Sequence, residues 1–107
     1  GLLPPWTSWW DEADVAGLFP SPDVRAEVEA EQPRMPLAYF DHLPPVPQGW
    51  GASPGGYIWF GPPYDQGAAL ASEHGWPTEH LPGDHLHMLT DPDAVAESLV
   101  RLAGGWS

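Results

Sequence analysis

Proline recurs so closely along this chain that it limits the length of every regular element. Fifteen prolines and twelve glycines are spread over 107 residues. Proline has no backbone N–H and a fixed φ, so helices start at it or stop before it, and interior strands exclude it. Neither a collagen period nor Ser/Gln-rich low complexity accompanies these residues. Seven tryptophans argue against plain disorder, because such large apolar groups need a surface to bury against. The chain reads as short elements joined by rigid turns, forming one domain at most, or part of one.

Leu3–Trp10 opens as a proline-rigid, tryptophan-rich segment that cannot become a regular helix before Pro5 is passed. Asp11–Phe19 predicts a short helix with Val15, Leu18 and Phe19 on one side. Ser21-Pro22-Asp23 starts a second helix, a capping hydroxyl followed by a proline at the first helical position, running to about Gln32 and stopped by Pro33. Val24 and Val28 should face inward, and Glu27, Glu29 and Glu31 outward. Pro36–Phe40 predicts a brief extended piece. Pro44, Pro45 and Pro47 then impose a polyproline-like connection up to Gly51.

Tyr57-Ile58-Trp59-Phe60, an apolar run bounded by turn residues, reads as a strand buried on both faces. Asp65–His74 predicts a helix using Ala68, Ala69 and Ala71 for close packing and Leu70 for bulk, with Gly75 as its stop. Thr78–Leu81 is a second short strand. Pro82-Gly83 turns the chain and presents Asp84 and His85 on a loop. Asp91-Pro92 then starts a last helix whose Val95, Leu99 and Leu102 form one apolar stripe, ended by Gly104-Gly105. Strand, helix, strand, loop, helix favours a parallel pair with helices on its faces. Two strands leave exposed edges, so further sheet is expected from upstream sequence or another chain.

Charge narrows the functions. No lysine and only Arg25, Arg34 and Arg101 stand against fifteen acids, a formal net charge of -12, so no basic patch exists to follow a phosphate backbone and nucleic acid is not an expected partner. There is no cysteine, hence no disulfide or thiolate chemistry. No apolar run has the length of a membrane span or signal segment, so a membrane is not expected either and a cytoplasmic location is the default.

From Tyr57 onward the residues carry a resemblance. Y-I-W-F-G, an alanine-rich helix, G-W-P-T, L-P-G-D-H-L-H-M-L and D-P-D-A-V-A-E-S-L together resemble the C-terminal end of α/β-hydrolase enzymes, in particular the small esterase and hydroxynitrile-lyase-like branch. Gly1–Phe40 is similar in position and style to the cap such enzymes insert over their active site. The resemblance implies an α/β class: the C-terminal part of a doubly wound, mostly parallel sheet, preceded by a Trp/Pro-rich helical cap. It divides the chain into a cap or lid segment, 1–50, and a strand-helix-strand-helix part, 51–107, incomplete without upstream or partner chain.

The same resemblance puts His85, in Gly83-Asp84-His85-Leu86-His87-Met88, in the place of the catalytic histidine. Acyl transfer needs a base near neutral pH that takes a serine proton and returns it to the leaving group, which suits imidazole. The acid that orients it falls nearest to Asp65, a residue that also reads as the N-cap of the following helix. Asp84 reads as a turn residue. The serine elbow G-x-S-x-G is absent from the sequence, so the nucleophile must come from elsewhere.

The expectation is thus a serine-hydrolase part acting on a small ester or acyl compound, with His85 as general base and Asp65 as its acid. Trp6, Trp9, Trp10 and His87 would contact the substrate, and the partner is an N-terminal hydrolase part in the same or another chain. The alternative is a non-catalytic binding or interaction protein of the same kind, or a simple Trp/Pro docking segment at Leu3–Trp10. No cofactor is expected. His80, His85 and His87 with Glu79 suggest a metal, but their spacing matches no usual zinc pattern, so none is assigned.

Overall fold

The structure is a computed structural model describing residues 1–105. It divides into two compact units, Gly1–Val46 and a second beginning at Pro47.

In the first unit, the Pro4-Pro5 pair leads into a single 3-10 turn, Trp6–Ser8. Helix α1 spans Glu12–Ala16, shorter than expected, and α2 spans Pro22–Glu31. Ser21 caps α2, its hydroxyl accepting from Val24 N at 3.2 Å, which is what a serine ahead of a proline at the first helical position should do. Val15 and Phe19 are buried and Leu18 is half-buried, so α1 turns the expected face inward. Arg25 on α2 holds the unit together: its guanidinium donates to Glu29 Oε1 at 2.8 Å one turn on and to Glu12 Oε2 of α1 at 2.7 Å. Bonding to Arg25 holds the Glu12 carboxyl below its ordinary value. Glu29 is therefore paired, not simply turned to solvent.

Pro36–Phe40 is not extended. Leu37–Asp41 forms a 3-10 helix, and only Pro36 makes a bridge, antiparallel to Leu2. The chain end is fastened by Leu3 N donating to Met35 O at 2.7 Å and by Arg34, which donates to Leu3 O at 2.8 Å and Leu2 O at 3.2 Å.

In the second unit, β1 (Tyr57–Trp59) and β2 (Thr78–His80) pair in parallel, with Tyr57 beside Thr78, Ile58 beside Glu79 and Trp59 beside His80. Between them runs α3, Asp65–Glu73. After β2 come a short helix α4, His87–Thr90, where a plain loop was expected, and α5, Pro92–Gly104. Asp91 caps α5, its side chain accepting from Ala94 N at 3.2 Å.

The expectation of a doubly wound α/β-hydrolase sheet is overturned. Among the described residues there is one sheet, and it has two strands of three residues each. Proline and glycine punctuate both ends of each run and leave no length for more. Nor is β1 buried on both faces; all three of its residues are half-buried.

Strand side chains alternate between faces, and this decides what each helix touches. Tyr57 reaches α3, its hydroxyl lying over Gly67, where a Cβ would collide with it. Glu79, on the opposite face, reaches α5, where Arg101 donates to it at 2.8 Å. Ala68 and Ala71 are the buried contacts of α3, whereas Ala69 and Leu70 are exposed, contrary to expectation. The helix meets the sheet through its smallest residues because the Tyr57 ring already fills the space beside Gly67.

On α5 the stripe is also displaced. Leu102 is buried and Val95 half-buried, but Leu99 is 56% exposed, and Ser98 takes the inward position at 0%. Leu102 packs against Gly56, whose missing side chain leaves it room.

Candidate functional site

In a parallel pair, all residues that follow the strands gather at one edge, and loops there are the usual ligand-binding segments of parallel sheets. The residues following β1 and β2 are Phe60–Tyr64 and Leu81–Leu86. Backbone bonds sew these loops together: Leu81 N donates to Trp59 O and Gly83 N to Phe60 O, both at 3.0 Å. His80, His85 and His87 are therefore brought to a single edge, each against an aromatic ring supplied by the first strand or its loop.

The three contacts differ in kind. His80 stacks on Trp59 with centroids 3.7 Å apart and planes 7° from parallel. A long bond, 3.4 Å, also joins its Nε2 to Phe60 O. His87 lies against Phe60, centroids 5.3 Å apart and tilted 53°. Its ring occupies the space a Cβ on Gly83 would need, and it is half-buried. His85 stacks on Tyr64 with centroids 5.3 Å apart and planes 18° from parallel, and is exposed. Among the described residues no hydrogen bond is made by either ring nitrogen of His85.

Asp65 follows Tyr64 directly and opens α3. It is not the N-cap: Tyr64 holds that position, and no side chain caps the helix. A carboxylate in the first turn still suits the helix dipole. Among the described residues no hydrogen bond joins Asp65 to His85. Asp84 lies in the turn, its carbonyl accepting from His87 N at 3.0 Å. No group of histidines and acids is arranged to hold a metal ion among the described residues.

Trp6, Trp9 and Trp10 belong to the first unit. Trp6 and Trp10 meet edge to face at 6.4 Å, and Trp9 lies tilted by 47° against Trp10 at 5.7 Å. Trp9 also donates from its indole N–H to Pro4 O at 2.7 Å. An open depression of about 410 Å³ in the second unit is lined by Ser53, Pro54, His74, Trp76 and neighbouring residues. Apart from Gly105 at the end of α5, the lining comes from the segments that precede β1 and β2, so the depression lies at the edge opposite the three histidines and contains none of the expected site residues.

Trp59, Phe60 and Tyr64 were not singled out in the sequence as partners of the histidines. The parallel register was the available signal: once β1 and β2 pair, each aromatic residue after Ile58 faces the histidine-bearing loop.

Comparison with protein-family models, with curated proteins and with solved structures finds no match. Among the described residues, no helix is long and apolar enough to cross a membrane.

Proposed function

We propose that the second unit supplies a general base, His85, to an acyl-transfer site for a small ester or related acyl compound, and that a serine nucleophile carried outside these residues completes the site. The proposal rests on the histidine loop and its chemistry, not on the sheet. One observation carries it: of the three histidines at the strand edge, His85 has its ring stacked on Tyr64 while remaining exposed and free of hydrogen bonds to the described residues. A ring that is oriented but unsatisfied suits proton transfer, which needs one nitrogen toward the nucleophile and the other toward an orienting group.

The steps follow. A ring nitrogen of His85 takes the hydroxyl proton as the serine oxygen attacks the ester carbonyl, and the tetrahedral intermediate forms. On collapse the C–O bond to the alcohol breaks, and the imidazolium gives its proton to the departing oxygen. Water then attacks the acyl-serine, again losing a proton to His85, and the acid leaves as the proton returns to serine. Asp65, one residue from the ring that supports His85, is the proposed orienting acid. His87, packed over Gly83, would border the substrate. The cytoplasm is the proposed setting, where a chain without cysteine loses nothing to reducing conditions.

A second reading, a non-catalytic interaction protein, draws support from Leu70, Leu99 and Val100, large apolar side chains left exposed on α3 and α5. A fluorophosphonate probe applied to the protein with whatever co-purifies separates the two. The catalytic reading predicts a labelled serine, with labelling at least about a hundredfold slower in His85→Ala. No labelled serine, or labelling indifferent to His85→Ala, overturns it in favour of the interaction reading.

A further inference from the structure

The first unit exposes a connected aromatic surface that the catalytic proposal does not use. Its rings form a chain of contacts: Tyr39 with Phe40 at 5.3 Å, Phe40 with Trp9 at 6.0 Å, Trp9 with Trp10 at 5.7 Å, Trp10 with Trp6, and Trp6 with the buried Phe19 at 6.3 Å. The inner end is core, but the outer end is not. Trp10 is 58% and Phe40 56% exposed, and Leu37 and Tyr39 are equally open. Large aromatic groups contiguous at a surface mark contact sites for another molecule.

The charge around these rings says which kind. Asp11 follows Trp10 and Asp41 follows Phe40, and both are exposed. The unit's two arginines are engaged elsewhere: Arg25 is paired with Glu12 and Glu29, and Arg34 donates to the carbonyls of Leu2 and Leu3. Beside the exposed rings the chain thus carries the carboxylates of Asp11 and Asp41 and no arginine or lysine free to offset them, with only the imidazole of His42 following Asp41. A second copy of a chain with formal net charge -12 would bring like charge to like, and an anionic membrane would do the same.

We propose that this aromatic face docks a cationic amphipathic segment of a partner protein, apolar side chains seated on Trp10 and Phe40 and lysine or arginine side chains beside Asp11 and Asp41. The inference is independent of the catalytic reading and stands or falls without it.

The test titrates the full chain with a synthetic leucine–lysine amphipathic helix, and in parallel with its leucine–glutamate counterpart and with neutral phosphatidylcholine vesicles, by calorimetry. The leucine–lysine peptide should bind and weaken as salt rises. Trp10→Ala with Phe40→Ala should weaken it at least about tenfold, and Asp11→Asn with Asp41→Asn, exposed changes that leave the fold intact, should do the same. Failure of the lysine peptide to bind overturns the proposal. So do equal binding of the glutamate peptide, a preference for vesicles, self-association that occludes the face, or indifference to the asparagine variants.

Discussion

His80 lies flat on Trp59, ring centroids 3.7 Å apart and planes 7° from parallel, because the parallel register sets the two residues side by side. The stack links the last residues of both strands in a sheet with few other means of cohesion. Aromatic pairs of this kind contribute about 0.5–1.5 kcal/mol beyond the area they bury. A double-mutant cycle of Trp59→Ala and His80→Ala, followed by denaturant unfolding, should return a coupling of about that size. Additive losses would mean that the rings do not interact.

Arg101 and Glu79 fasten α5 to β2, and the pair should make stability depend on pH. The hydrogen bond from Arg101 is the main cause holding the Glu79 carboxyl below its ordinary value of 4.5. A carboxylate whose value is lowered on folding contributes stability that is present above the unfolded value and is lost as pH falls through the folded one. Thermal unfolding of the native chain and of Glu79→Gln should therefore differ at neutral pH and converge in acid. The gap must not widen as pH falls. Salt should narrow it, since Arg101 is solvent-exposed.

Ser98 is fully buried, and its hydroxyl makes no hydrogen bond in good geometry among the described residues, although it lies near enough to Glu79 to favour the ionised carboxylate. A buried hydroxyl without a partner costs free energy. Ser98→Ala should leave stability unchanged or raise it, by up to about 1 kcal/mol. A clear loss would show that the hydroxyl bonds Glu79 in solution.

Gly83 leaves room for the His87 ring, so Gly83→Ala should push that ring out of its place against Phe60. Overpacking of this kind costs about 1–3 kcal/mol. In Gly83→Ala the ring signals of His87 should shift in NMR spectra while those of His80 stay close to their native positions. Unmoved His87 signals would contradict the packing described.

What could be read from the sequence was local. Ser21-Pro22 and Asp91-Pro92 announce helix starts through a capping oxygen and a missing N–H, and both caps form. Tyr57–Phe60 and Thr78–Leu81 announce strands, and these form one residue shorter, over Tyr57–Trp59 and Thr78–His80, and pair in parallel as their order requires. What depends on neighbours distant in sequence was not legible. Leu99 belongs to the apolar stripe of α5 by spacing, yet Ser98 faces inward because the helix is turned to bring Arg101 to Glu79 and Leu102 to Gly56. Asp65 has the chemistry of an N-cap, but it is already the first residue of the helix, and Tyr64 stands at the N-cap position. The expected α/β-hydrolase sheet was drawn from short runs, two strands with the loop and helices around them, which carry no information on how many strands a sheet has, and the described sheet has only those two. At the site, the residue types of His80, His85 and His87 were visible; the rings that distinguish them, Trp59, Tyr64 and Phe60, became partners only through the pairing of β1 with β2.

The central claim is that His85, alone among the three edge histidines, transfers protons in acyl transfer. The most direct measurement is nitrophenyl-ester hydrolysis by the protein with its co-purifying material, comparing His85→Ala with His87→Ala and His80→Ala. The account predicts that kcat/KM falls by about a thousandfold or more for His85→Ala and by less than about tenfold for the other two. Equal losses in all three, or no loss in His85→Ala, would contradict it.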